Sequence, residues 1–197
     1  MLIKAGRITN LTDARYFAAM EVDFIGFNLE EGTEAYLEPM YMHAIREWIS
    51  GPQIVGEFWN SPAEWIKEAA AFFQLDWVQA PASPALAALA PELKVLAWLP
   101  ATPGPESLRA QMETWQREEQ MFVLDFSGQA LPTDDALWAA LCTDYKCLLH
   151  LDAPPNQWAL FLDALKPAGC SLAGGEEERV GVKSFDDLDA IFGVLGR

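Results

Sequence analysis

The chain has 197 residues, of which 51% are hydrophobic and 12% are aromatic. This length predicts one domain over residues 1–197, and the composition excludes an intrinsically disordered protein. The formal net charge is −16 and the sequence has no lysine–arginine cluster, which excludes a basic face for nucleic acid and disfavours binding to an anionic membrane.

The few cysteines and histidines limit the kinds of site that the chain can build. The three cysteines have no CxxC spacing, so no disulfide framework is expected. Two histidines, His43 and His150, cannot form a three-histidine zinc site. We therefore expect no metal and no other cofactor. Residues 1–7 carry charges where a signal peptide needs an apolar run, and no apolar stretch reaches about 18 residues. These features predict a cytoplasmic protein without a membrane span.

Short apolar runs alternate along the chain with longer segments of helical periodicity. The predicted strands are 2–5, 23–29, 53–58, 76–79, 93–98, 121–125, 146–151 and 169–172. The predicted helices are 11–20, 39–49, 62–73, 84–90, 105–119, 134–141, 155–165 and 184–195. Asn10 is the predicted N-cap of the first helix and Ser184 that of the last. Ser61, Pro62 and Glu64 predict a capping box at the start of the third helix.

The strand sequences also indicate a fold class. Continuous apolar strands are typical of parallel sheets that are buried on both faces. Eight consecutive strand–helix units favour a single small (β/α)8 TIM barrel of eight parallel strands, with the first strand beside the last, over an open doubly wound sheet. In such a barrel the functional residues lie at the carboxyl ends of the strands and in the loops that follow them. A ligand site is therefore expected at the C-terminal mouth of the barrel.

Motifs at the strand ends follow one another in a familiar order. Residues 4–14, KAGRITNLTDA, are similar to the pattern K-[IV]-C-G-[IL]-T-x-x-x-D-A. The further similarities are 22–27 with A-D-x-[IL]-G-F, 55–60 with V-G-V-F-V-N, 75–79 with L-D-x-V-Q, 124–125 with L-L-D, and 174–183 with S-S-G-V-E followed by P-G-x-K-D. Together these motifs resemble the phosphoribosylanthranilate isomerase family over the whole chain.

The resemblance implies the family's reaction, an Amadori rearrangement of phosphoribosylanthranilate during tryptophan synthesis. In the family the cysteine of the first motif is the general base and the aspartate of strand six is the general acid. Asp125 matches that acid. The substrate phosphate binds backbone amides after strands seven and eight, so Gly174 and Gly175 are the candidate phosphate-binding glycines of this chain.

Several family positions carry other residues here. Gly6 stands at the position of the cysteine and Arg7 at that of the following glycine, and neither can accept a proton at pH 7. Ala35 replaces the arginine that contacts the anthranilate in the family. Glu176, Glu177 and Glu178 follow the glycine pair and should repel a phosphate. The motifs after strands four, six and seven are replaced by 79–82, 127–130 and 150–153.

Other polar residues at the strand ends have more than one interpretation. Glu57 replaces an apolar residue in a buried strand, and we expect it to pair with Lys4 inside the barrel because an unpaired buried charge is costly. Lys4 is a structural ammonium or a binding residue. Arg7 holds an anion or neutralises Glu57 or Asp125. Gln79 keeps the glutamine of the family's fourth strand and is a binding candidate.

Aromatic residues and histidines at the strand ends have plainer interpretations. Trp59 and Trp98 are expected to be core or rim aromatics at the ends of strands three and five. His43 is expected on a helix and His150 at strand seven, both without a functional role.

Two functional hypotheses follow. In the first, the chain is an altered isomerase that uses Asp125 as the acid and Glu57 or Asp152 as a substitute base. In the second, it is a catalytically inactive paralogue that acts as a small-molecule-binding or scaffold protein, with a ligand at the barrel mouth. Because the base, the arginine and the phosphate loops are largely replaced, we expect the family activity to be weak or absent. The sequence predicts no oligomeric state.

Overall fold

The computed structural model describes residues 1–89, 91–115, 120–129, 132, 135–175 and 177–197. These residues form eight strands that alternate with eight helices. The strands are β1 Leu2–Gly6, β2 Phe24–Asn28, β3 Gln53–Glu57, β4 Trp77–Pro81, β5 Val95–Pro100, β6 Gln120–Asp125, β7 Cys147–His150 and β8 Gly169–Ala173. The helices are α1 Leu11–Ala19, α2 Pro39–Arg46, α3 Ala63–Phe72, α4 Pro84–Leu89, α5 Pro105–Trp115, α6 Asp135–Asp144, α7 Pro155–Leu165 and α8 Asp186–Leu195.

The strands close into a barrel in the order in which they occur in the chain. Every neighbouring pair is parallel, and β1 completes the ring beside β8, where Leu2 lies opposite Gly169 and Gly6 opposite Ala173. The predicted (β/α)8 barrel is thus confirmed, including the pairing of the first strand with the last.

The barrel interior is apolar at one end and polar at the other. Residues two apart on a strand share a face, so one set of alternate residues points inward. The lower layers are apolar and comprise Phe24, Val55, Trp77, Leu96, Met121, Val123 and Leu148. Two residues above Val55 comes Glu57, and two above Trp77 comes Gln79, both buried. Polar groups are therefore concentrated towards the C-terminal mouth.

The predicted helix caps have different outcomes. Asn10 caps α1 as predicted, because its side-chain oxygen accepts a hydrogen bond from the Asp13 amide at 2.7 Å. The predicted capping box of α3 is wrong: Pro62 is the N-cap residue, and the Ser61 hydroxyl donates instead to the Glu30 carboxylate at 2.9 Å. A carboxylate is a stronger acceptor than a neutral group, so Glu30 takes the serine.

The last helix also begins later than its predicted cap. Phe185 is the N-cap residue of α8, without a side-chain cap, and the Ser184 hydroxyl accepts a hydrogen bond from the Asp186 amide at 3.3 Å. Among the described residues, no helix has the length and apolar character needed to cross a membrane.

Candidate functional site

An open cavity of about 440 Å³ lies at the carboxyl ends of the strands. This volume is in the range of small-molecule sites. The lining residues come from β5, β6 and β7 and from the loops after β1, β2, β3 and β6; they are Arg7, Thr33, Glu34, Trp59, Trp98, Asp125, Ser127 and His150. The expected position of the site, at the barrel mouth, agrees with this cavity.

Below the cavity, the Lys4 ammonium and the Glu57 carboxylate form an ion pair inside the barrel, as the sequence predicts. Both side chains are buried. The second carboxylate oxygen of Glu57 accepts a hydrogen bond from the Arg7 backbone amide at 3.0 Å. Both oxygens of Glu57 are thus engaged, which leaves this candidate base poorly placed to take a proton from a ligand.

The ion pair occupies the space beside the position of the family's cysteine. A Cβ atom at position 6 would lie 2.6 Å from both Glu57 Oε1 and Lys4 Nζ. A Cβ atom at Gly26, on the neighbouring strand, would also collide with Glu57. Glycine at these two positions therefore makes room for the charged pair, and the absent base and the added carboxylate are linked by sterics.

Asp125, the residue that matches the family's acid, lies half-buried at the end of β6. Its Oδ1 accepts a hydrogen bond from the Ser127 amide at 2.8 Å. Among the residues that the structure describes, no lysine or arginine forms an ion pair with it. Asp125 thus offers the cavity a carboxylate that no described lysine or arginine neutralises.

His150, which the sequence analysis treats as an ordinary residue, lies beside Asp125 at the end of β7. Its Nδ1 is 2.8 Å from the Ser171 carbonyl oxygen. Since a carbonyl only accepts, Nδ1 carries the proton and Nε2 is left as an acceptor. Burial lowers the pKa of His150 despite opposing effects of Ser171 and Asp125, so the ring is neutral at pH 7. Its position opposite Asp125 on the adjacent strand was the signal that could have identified it.

Three rings from the ends of β3, β5 and β7 line the mouth. The Trp59 and Trp98 rings are 5.3 Å apart and nearly perpendicular, and the Trp98 ring is 5.0 Å from the His150 ring. Both tryptophans are half-buried, so they are rim aromatics that contact the cavity. Their arrangement offers flat apolar surface to a ligand.

The position of Trp59 depends on Glu30, a residue that the sequence analysis did not identify. The Glu30 carboxylate accepts hydrogen bonds from the backbone amides of Trp59 at 2.6 Å, Asn60 at 2.8 Å and Ser61 at 3.0 Å. Burial alone would raise the pKa of the Glu30 carboxyl, but these hydrogen bonds outweigh it and lower the pKa. Glu30 thus holds the loop after β3 in place as an anion.

Arg7 does not neutralise Glu57 or Asp125 through its side chain. Its guanidinium pairs with Glu34 at 2.5 Å, at side-chain exposures of 40% and 85%, and it reaches Glu57 only through the backbone amide. Arg7 also has a φ of 54°, in the left-handed region that glycine favours. The family's glycine at this position agrees with that backbone conformation.

A smaller cavity of about 20 Å³ lies deeper in the barrel, where Lys4, Gly6, Glu57 and Gln79 line it. We call this layer the floor of the site. The smaller cavity shares Arg7, Trp59, Trp98 and His150 with the open mouth. Gln79 is buried, and its Oε1 has no hydrogen-bond partner in the described part of the chain. An unpaired buried acceptor is costly, so this residue would be stabilised by a donor group.

The candidate phosphate-binding glycines are already engaged within the protein. The Gly174 amide donates to the Gly6 carbonyl at 2.8 Å, and the Gly175 amide donates to the Asp13 carboxylate at 2.9 Å. Asp13 is fully buried and forms an ion pair with Lys183 at 2.7 Å. Asp13 and Lys183 stand at the aspartate and lysine positions of the family motifs, so their ion pair agrees with the family pattern, and within this structure the Gly175 amide has an acceptor.

Other residues expected at the mouth lie elsewhere. Asp152, a candidate base, is exposed and does not line the open cavity. Glu176, one of the three glutamates expected to repel a phosphate, lies outside the described residues, whereas Glu178 is exposed. Among the described residues, no group of three histidine, cysteine, aspartate or glutamate side chains is arranged to hold a metal ion.

Comparison with known proteins supports the resemblance seen in the sequence. No protein-family model matches the chain, and no curated protein matches its sequence. Solved structures match over the full length. The phosphoribosyl anthranilate isomerase from Thermus thermophilus is 28% identical with a TM-score of 0.79, and the match covers 100% of this chain and 98% of that chain.

Two other structures place this match in context. The phosphoribosyl anthranilate isomerase from Thermotoga maritima is 21% identical with a TM-score of 0.79, and both chains are covered completely. The triosephosphate isomerase from Bartonella henselae reaches 13% identity and a TM-score of 0.62, covering 100% of this chain and 99% of that one. Together with the motifs in chain order, the match to the Thermus thermophilus enzyme identifies the chain as a phosphoribosylanthranilate isomerase-like (β/α)8 barrel.

Proposed function

We propose that this barrel binds a small molecule at its mouth and does not isomerise phosphoribosylanthranilate efficiently. One observation carries the proposal: the groups that the family reaction requires are replaced or already engaged, while an open, aromatic-lined cavity remains. The family's place in tryptophan synthesis would then not extend to this chain.

The first requirement is a general base. Gly6 has no side chain to supply one, and the nearest carboxylate, Glu57, is bound by Lys4 and by the Arg7 amide. Asp152 does not line the open cavity. Loss of a positioned general base typically lowers a rate by about 10²- to 10⁴-fold. His150 could accept a proton through Nε2, but it lies on β7 and not at the position of the family's cysteine on β1, so we expect the isomerisation to be slow even with the substrate bound.

The second requirement is a site for the substrate phosphate. The Gly174 and Gly175 amides already donate to Gly6 and Asp13, and the Glu177 and Glu178 carboxylates follow this pair in the chain. Binding energy from a remote phosphate positions the reacting part of a substrate. Without that binding energy, the rate would fall further than the missing base alone would lower it.

The cavity and the residues that line it favour ligand binding over a purely structural role. Trp59 and Trp98 line a cavity of about 440 Å³, and Asp125 adds a carboxylate that has no cationic partner among the described residues. A scaffold protein would need no such cavity. The alternative of a scaffold without a ligand is therefore less well supported.

The test is an isomerase assay with purified protein, together with complementation of a tryptophan auxotroph that lacks the isomerase. We expect no rescue and a kcat/KM far below the common enzyme range of about 10⁴ M⁻¹s⁻¹. A genuine phosphoribosylanthranilate isomerase assayed in parallel is the positive control. A second arm compares thermal unfolding in inorganic phosphate and in chloride at equal ionic strength; we expect no stabilisation by phosphate.

Turnover in the common range would contradict the proposal and support the altered isomerase. The variants Glu57→Gln, Asp152→Asn and His150→Gln would then identify the substitute base. Loss of that activity in Asp125→Asn would show that it comes from this barrel and not from a contaminating host enzyme.

A further inference from the structure

We infer that the mouth binds a small organic cation, a protonated amine, with its charge between the Trp59 and Trp98 rings and the Asp125 carboxylate. The inference rests on the proposed function, because it uses the cavity that an isomerase would use for its own substrate. It adds the chemical class of the ligand.

The charges around the cavity favour a cation. The described groups of the mouth and floor include two cations, Lys4 and Arg7, and each is paired with a glutamate. Asp125 is the carboxylate that remains without a cationic partner among the described residues. The chain as a whole carries a net charge of −16, which raises the local concentration of cations and lowers that of anions.

The aromatic walls suit the same ligand. A cation within about 6 Å of a ring centroid is attracted to the face of an aromatic ring, and tryptophan is the strongest partner. Two tryptophans meet at 5.3 Å on one side of this cavity, and Asp125 lines the same cavity. Ring faces together with a carboxylate form a common arrangement for holding an ammonium group.

The other polar groups are compatible with an N–H donor. His150 Nε2 is an acceptor, because Nδ1 donates to the Ser171 carbonyl. Gln79 Oε1, which has no donor among the described residues, lies in the smaller cavity with Lys4 and does not line the cavity that contains Asp125. A ligand ammonium offers several N–H groups, whereas a carboxylate or a fully ionised phosphate offers none. Lys4, in the floor, disfavours deep placement of a second cation, so the charged group belongs in the upper cavity near Asp125.

The test uses three probes of one shape that differ in charge: benzylamine, benzyl alcohol and benzoate. Binding to the full chain is measured at pH 7.5 by titration calorimetry and by ligand-observed NMR. We expect benzylamine, protonated at this pH, to bind at least tenfold more tightly than benzyl alcohol, and benzoate not to bind. Equal binding of the amine and the alcohol, preferred binding of benzoate, or no binding of any probe would overturn the inference.

Variants locate the site. Asp125→Asn should weaken benzylamine binding about tenfold or more and leave benzyl alcohol unaffected, whereas Trp98→Leu should weaken both. Asp163→Asn, which removes one exposed carboxylate from α7, is the matched control for net charge and should change neither. Unfolding curves show whether each variant is folded. Unchanged benzylamine affinity in a folded Asp125→Asn protein would refute the cation site, whereas isomerase turnover in the common range would refute the proposed function.

Discussion

The Lys4 ammonium and the Glu57 carboxylate are paired inside the barrel at the height of Gly6, and each side chain is 1% exposed. At the corresponding positions the family motifs have a cysteine for Gly6 and an apolar residue for Glu57. Because a side chain at position 6 would collide with the pair, these two departures are coupled. Where the family motif has a cysteine, this barrel therefore has a glycine beside a buried salt bridge.

Removing one partner of this pair should destabilise the fold strongly. Lys4→Met or Glu57→Leu alone leaves an uncompensated buried charge, and we expect a loss of about 3–5 kcal/mol in the free energy of unfolding. The double variant should recover most of that loss, since it buries no charge. Urea unfolding of the four proteins gives the coupling energy.

An exposed pair provides the control for this cycle. Lys67 and Glu92 are 2.7 Å apart at side-chain exposures of 39% and 62%, and Lys67→Met should cost no more than about 1 kcal/mol. A buried pair whose single variants cost as little as this would contradict the interpretation.

Restoring the family's cysteine should not restore the family's chemistry. In Gly6→Cys the new Cβ atom would lie 2.6 Å from both atoms of the ion pair, so the pair must move. We expect a loss of about 1–3 kcal/mol from overpacking and no gain in isomerase activity. Gly6→Ala adds the same Cβ atom without a thiol, so it measures the steric loss of stability alone.

The control is Gly193→Ala in α8, where an added Cβ atom meets nothing within 4 Å. This variant should be neutral or slightly stabilising, because alanine favours the helix. If Gly6→Cys were as stable as the parent protein, the steric link between Gly6 and Glu57 would be wrong.

The barrel could be predicted from local sequence, whereas the pairing of Lys4 with Glu57, 53 residues away, was predicted from the cost of leaving a buried charge unpaired. Apolar runs at regular spacing predict parallel strands, and residues two apart on a strand share a face, which places Lys4 and Gly6 on the same side. The order of the strands then follows from the order of the units. Such patterns need no knowledge of distant contacts.

The hydrogen-bond partners of Gly175 and Ser61 could not be predicted in this way. Gly175 is bound by Asp13, 162 residues away in the chain, and Ser61 is bound by Glu30, 31 residues away. A glycine pair and a capping-box pattern do not reveal that a distant carboxylate already takes their hydrogen bonds. The expected capping box failed because the half-buried Glu30 carboxylate competes for Ser61, and the candidate role of Gly175 in phosphate binding stays a prediction.

Glu30 should stabilise the protein through its charge. Glu30→Gln keeps the shape of the side chain but removes the negative charge that accepts the amides of Trp59, Asn60 and Ser61. Hydrogen bonds to charged groups contribute about 1.5–3 kcal/mol each, so we expect a loss of about 1–3 kcal/mol in the free energy of unfolding and a change in Trp59 fluorescence. Urea unfolding at pH 7 measures the loss.

The pH dependence gives a second readout for Glu30. Its folded pKa is lowered, so its contribution is present above the ordinary value of 4.5 and is lost as the pH falls through the folded pKa. Glu31→Gln, at the exposed neighbouring position, is the matched control. An equal effect of the two variants would show that the carboxylate of Glu30 does not hold the loop.

His150 should make the fold less stable in acid. Burial, opposed by Ser171, Asp125 and Glu57 and reinforced by Lys4, lowers its pKa below the ordinary value of 6.5, so the unfolded chain binds more protons than the folded one below that pH. The free energy of unfolding therefore falls as the pH drops through about 6.5, and it stops falling below the folded pKa. His150→Gln should remove this part of the pH profile, measured by urea unfolding between pH 5 and 8.

His43→Gln, on the exposed face of α2, removes the other imidazole and is the control. NMR titration of the His150 ring gives the folded pKa directly, and a value at or above 6.5 would contradict the neutral, acceptor form of this residue at the barrel mouth.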